Sequence, residues 1–189
     1  MLMNPVITQD GGPHQQPDGG ADAVQFGTAE EQWVSYAYPD SSSDQATLTM
    51  TPDGNGFHVT AAVTGAYAGV GLSFQSDNEC IDGTGWTGIQ FEFVGDTAGH
   101  VVRFIVMADD DVSHQNDNRG TCRGGSMSCY GPRTNVNPNI ALNMVPFDSL
   151  SSGTNDVLDR QHIIKVQWEV EAANTPSAAD FMISNVRFY

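Results

Sequence analysis

Five polar side chains stand at alternating positions in otherwise apolar strings. They are Gln90 and Glu92 in GIQFEFV, Arg103 in VVRFIVM, and Gln167 and Glu169 in IIKVQWEV. Residues two apart along a strand share a face, so each string turns its polar members away from the core. Amide, carboxylate and guanidinium groups side by side answer hydroxyls, which both donate and accept, with paired hydrogen bonds. Such a platform suits a sugar. A merely solvated strand face is the plainer reading of the same residues. The strings are expected to be neighbours in one sheet, with Asn143 a further candidate on the same face.

Pyranose rings also need flat apolar surface, which Tyr and Trp supply at low entropic cost. Tyr36 and Tyr38 crowd the segment WVSYAYPD, Tyr67 sits in the turn GAYAG, and Tyr130 follows Cys129. These four are the candidate ring contacts. Trp33 and Trp168 are assigned to the core, and Trp86 to its edge. Glu92 and Glu169 offer a catalytic alternative. A retaining glycosidase needs two carboxyls about 5 to 5.5 Å apart across a concave sheet. No G-x-S-x-G, HExxH, Walker or dinucleotide string is present.

The string ADDDVSHQNDN gathers Asp109, Asp110, Asp111, His114, Asp117 and Asn118. Carboxylates this dense suit a cation, although the twelve-position calcium-loop pattern is absent. A solvated acidic turn, neutralised by Arg119 and Arg123, is the alternative. Three cysteines are present, Cys80, Cys122 and Cys129. Cys122 and Cys129 lie in the Gly-rich string TCRGGSMSCYG, where a bridge would pin a loop that has no core of its own. A bridge from Cys80 to either of them is the competing pairing. No CxxC pair suggests zinc.

The elements that must position these groups follow from hydropathy. Period-two alternation runs from Ala46 to the end of the chain, broken by turn signals such as PDGNG. Strands are expected over 47–50, 57–64, 69–75, 88–94, 101–107, 140–147, 163–170 and 181–188. No helical period persists beyond a turn or two. Eight or nine such strands predict an all-β, two-sheet antiparallel sandwich. Residues 109 to 139 form the main irregularity, a loop of a length that is commonly functional. Residues 1–25 have linker composition, and 26–189 are expected to form the folded domain.

The chain has 189 residues, with 7 Lys and Arg against 23 Asp and Glu, a formal net charge of −16. That field repels polyanions, which argues against nucleic acid and anionic membrane surfaces. No apolar run reaches the roughly 18 residues of a membrane span. The opening residues lack the basic and apolar regions of a signal peptide, so the chain is either cytosolic or has lost its signal. Low Lys with high Asp favours a secreted or cell-surface setting.

Five strings then follow a familiar order: GTAEEQWVSYAYPDSS, GVGLSFQSDNECIDGTGWTGIQFEFVGD, RGTCRGGSMSCYG, NMVPFDSL and DFMISNVRFY. The set resembles galactose-binding-like jelly-roll domains, akin to the carbohydrate-binding modules of cellulases and found in secreted myxobacterial proteins. The resemblance covers about residues 26 to 189. It implies a jelly roll, non-catalytic binding of a polysaccharide or other glycan, and a structural Ca2+ between the N-terminal segment and the last strand. The ligands it points to are Glu30, Asp180 and Asn185. The closing Asp-Asp of the pattern is Ser184 and Asn185 here, which removes a carboxylate from that set. Three functions are therefore carried forward: a carbohydrate-binding domain, a glycoside hydrolase or lyase using Glu92 and Glu169, and a self-assembling structural or adhesive surface protein.

Overall fold

The computed structural model describes residues 33–38, 46–53, 56–65, 67–74, 80–123, 128–155, 157–173 and 177–189, with the side chains of 33–38, 52 and 74 left aside. Among these residues the chain is all β, apart from three single 3-10 turns. In chain order the strands are β1 (Trp33–Tyr38), β2 (Ala46–Asp53), β3 (Gly56–Val63), β4 (Tyr67–Phe74), β5 (Gly88–Asp96), β6 (Val102–Ala108), β7 (Arg133–Asn135), β8 (Leu142–Pro146), β9 (Ile163–Glu171) and β10 (Ala179–Phe188). Every pairing between these strands is antiparallel. The first sheet has the order β1-β4-β9-β6-β7 and the second β2-β3-β10-β5-β8. This is the antiparallel jelly roll that the alternation and the ordered motifs predict.

The alternation shows how the sheets meet. Val70, Leu72, Phe104, Val106, Val166 and Trp168 come inward from the first sheet; Val59, Ile89, Phe91, Phe93, Phe181, Ile183 and Phe188 come inward from the second. All are buried. Trp168 is the hub, with Phe91 at 5.1 Å, Phe104 at 5.2 Å and Phe57 at 5.7 Å between ring centroids. Edge-to-face and tilted arrangements of this kind add to simple area burial. Trp86 stacks on Phe188 at 4.6 Å, closing one end of the core.

One phase change departs from simple alternation. Met107 pairs with Lys165 and Ala108 with Ile163, so Ile164 is an extra residue, a β-bulge. Plain alternation along IIKVQWEV predicts Ile164 inward with Val166, Trp168 and Val170; the bulge turns Ile164 to the outer face instead. Ile164 joins Ile105, Met107 and Val112 in a separate buried cluster. Ile105 and Met107 share the outer face with Gln167 and Lys165, their register partners. The long loop after β6 lies over them.

Two features order that loop. Cys122 and Cys129 are joined, with Cα atoms 6.0 Å apart, and Cys80 takes no part in that bridge. The Thr154 N–H donates to the Tyr130 carbonyl at 2.7 Å, and the Tyr130 N–H to Thr154 Oγ1 at 2.6 Å. Closing so short a loop is worth about 2 to 2.5 kcal/mol through the unfolded chain. A Cys122→Ser, Cys129→Ser double variant is expected to lose about that much in urea unfolding. An unchanged midpoint would show that the bridge contributes nothing to holding the loop.

Candidate functional site

The outer face of the first sheet can be read in rows across its strands. One row runs Gly69, Glu169, Arg103 and Asn135; the next runs Gly71, Gln167, Ile105 and Arg133. Tyr38 and Tyr36 of edge strand β1 pair with Gly69 and Gly71. The two glycines place no side chain between those positions and Glu169 and Gln167. Tyr67 opposes Glu171 beyond the first row and is 58% exposed.

Arg103 organises the polar part. Its guanidinium lies 3.6 Å from Glu169 Oε1 and is ion-paired with Glu171. Glu169 is buried, while Arg103 and Glu171 are part-exposed. A planar guanidinium held between two carboxylates presents its remaining N–H groups in a fixed direction. At the β7 edge, Arg133 packs over the Tyr130 ring at 5.3 Å, and Tyr130 is half open to water.

The loop after β6 covers the other half of this face. Arg119 grips Asp117 with Nε at 2.9 Å and an Nη at 2.7 Å, and donates to Ser73 Oγ at 3.1 Å. Lys165 lies 3.9 Å from the same carboxylate. Burial works to raise the Asp117 carboxyl, but hydrogen bonds from Arg119 outweigh it and hold the group below its usual range. Burial pushes the Lys165 ammonium down, against the pull of Asp117. Over the apolar cluster of Ile105, Met107, Val112 and Ile164, these ties make the loop a wall beside the open half.

The acidic string begins that wall. Asp109–Asp111 form a 3-10 turn at the end of β6. Burial pushes the Asp111 carboxyl up to about 7; the Ala108 N–H opposes this, and the charges of Asp110, Asp109 and Asp159 reinforce it.

The candidates thus divide. Arg103, Gln167, Glu169, Tyr67 and Tyr130 belong to the first sheet and its edge, as do the backbones of Tyr36 and Tyr38. Gln90 and Glu92 do not, which corrects the expectation of one shared sheet: β5 pairs with β10 and β8 of the second. There Gln90, in the amide orientation that satisfies its neighbours, accepts from Arg187 Nε and Nη2 at 2.7 Å. Glu92 accepts from Ser184 Oγ at 3.3 Å. Glu92 and Glu169 therefore face opposite outer surfaces with the Phe91–Trp168 core between them, and they cannot act as a carboxylate pair. Asn143 is also corrected. It is buried, accepting from the Asn137 N–H at 3.0 Å and donating to the Ile140 carbonyl at 3.0 Å.

Of the expected calcium ligands, Asp180 and Asn185 are not brought together. Asp180 is exposed and accepts from His58 Nε2 at 2.7 Å. Asn185 lies five residues along β10, roughly 16 Å for extended chain. Glu30 lies outside the described residues. Sequence reading passed over Glu171, which simply continues the Gln167–Glu169 alternation. It also passed over Arg133, in a strand too short to show a period.

No protein-family model matches the chain, and no curated protein matches it. Solved structures do. The family 11 carbohydrate-binding module of the cellulosomal cellulase Lic26A-Cel5E of Clostridium thermocellum is similar at a TM-score of 0.54 and 15% identity, over 89% of this chain and 94% of that one. An agarase, AgWH50C, is similar at a TM-score of 0.50 and 13% identity, over 88% of this chain but 25% of that one. The fold is thus the jelly roll found in a carbohydrate-binding module.

Proposed function

We propose that the chain is a carbohydrate-binding domain whose site is the open half of the first sheet's outer face. The observation that carries this reading is the Arg103–Glu169–Glu171 group with Gln167 beside it, framed by exposed Tyr67 and Tyr130. Charges there nearly balance, which suits a neutral polysaccharide better than an acidic one. The second sheet fits less well. Its outer face exposes Val94, Leu142 and Met144, which lack flat rings, and its polar groups satisfy one another. The similar folds, in a cellulase module and an agarase, suggest β-glucans and agarose as first probes. The test is affinity electrophoresis of the full chain through gels containing each polysaccharide. Retardation by at least one neutral polymer, lost in Tyr67→Ala, is expected. Unchanged mobility across the panel would reject the reading.

A further inference from the structure

We propose a divalent-metal site where the acidic turn after β6 meets the turn before β9, with Asp109, Asp159 and His162 as ligands. One ligand atom from each lies within 4.8 Å of the others. Two of the three are already oriented. Asp159 Oδ1 accepts from the Gln161 N–H at 3.0 Å, and Asp159 Oδ2 lies 2.7 Å from His162 Nδ1. A hydrogen bond of that length brings two donor atoms about as close as neighbours around one metal ion.

The second observation is independent of that spacing. Asp111 is 1% exposed, and its Oδ1 has no hydrogen-bond partner. The buried Oδ1 of Asp110 has none either. Both follow Asp109 in the same 3-10 turn. Buried carboxylate oxygens are costly unless a donor or a cation meets them. The Asn155 amide donates to Asp110 Oδ2 at 2.7 Å and the Ala108 N–H to Asp111 Oδ2 at 3.2 Å. Arg160, adjacent to Asp159 in sequence, is turned away, to Asp148 and to the Phe147 ring. Asp110 and Asp111 thus stand beside the Asp109–Asp159–His162 group, and a dication would balance its charge.

The donor set chooses the metal. Calcium takes oxygen ligands, whereas imidazole with carboxylates suits zinc and its neighbours. The site is therefore assigned to a zinc-type ion, with Asp110 and Asp111 supplying charge behind the ligands. It would tie the start of the loop wall to the start of β9. The assignment does not depend on sugar binding.

The test uses tag-free full chain, stripped with chelator and titrated separately with Zn2+, Mn2+ and Ca2+ by calorimetry and thermal unfolding. One Zn2+ per chain at micromolar affinity is expected, with a rise in Tm. His162→Ala and Asp159→Asn should each weaken it at least tenfold, while Asp148→Asn, on the exposed neighbour, should leave it unchanged. His162 is exposed, so its variant keeps the fold, and circular dichroism verifies this. Absence of 1:1 zinc binding below millimolar concentration overturns the assignment. So does zinc binding that survives both substitutions, or a preference for Ca2+.

Discussion

Trp168→Ala is expected to lower stability by about 3 to 5 kcal/mol, a fall in Tm on the order of 10 °C. Trp168 is fully buried and touches aromatic rings from both sheets. Its removal opens a cavity where Phe57, Phe91 and Phe104 meet, and rigid strands on either side collapse little into it. Trp168→Phe should cost far less. The indole Nε1 is buried without a hydrogen-bond partner, and phenylalanine removes that orphan donor along with some volume. The consequence reaches the surface, because Trp168 lies between Gln167 and Glu169 on β9. A strand that slips by one residue turns its outer set inward. Urea unfolding of the three proteins measures the difference; equal losses in the two variants would show that ring packing is not what anchors β9.

Arg103→Ala is expected to abolish retardation by the polysaccharide and to cost about 1 to 2 kcal/mol of stability. Glu169 and Glu171 would lose the guanidinium between them, with the Glu169 side chain only 11% exposed. Stripping one partner from a buried pair costs about 3 to 5 kcal/mol. Here Arg103 and Glu171 keep 28% and 30% of their side-chain surface, so solvent screening trims that figure. Arg103→Lys should restore most of the stability but little of the binding, since an ammonium lacks the planar fork. Glu92→Gln, on the opposite surface, should bind normally. Binding lost in Glu92→Gln and kept in Arg103→Ala would move the site to the second sheet.

Fold class was legible because burial on one side of a strand writes itself as period two. The strings around Phe91, Phe104 and Trp168 announced their inward faces directly. Sheet membership was not legible. β5 and β6 follow one another in sequence and carry the same pattern, yet they enter different sheets, because either choice buries the same apolar face. That ambiguity is what placed Gln90 and Glu92 beside Arg103 on paper. Ile164 misled for a related reason, whereas Ile105 stands on the outer face that its alternation predicts. Their cover is a loop without periodicity, and the bulge at Ile164 depends on pairing with β6, which one strand's sequence does not reveal. The Cys122–Cys129 bridge was readable because close spacing leaves little choice of geometry.

The second apolar cluster has a consequence for how this domain could be altered. Ile105, Met107, Val112 and Ile164 lie on the far side of the first sheet from the main core. The loop therefore rests on an annex with its own foundations. Its stretch from 113 to 131 could be rewritten, as variable loops are in binding scaffolds, while the sandwich beneath keeps its packing. Recognition and architecture would then be inherited separately, and related chains could diverge in what they hold long before they diverge in shape.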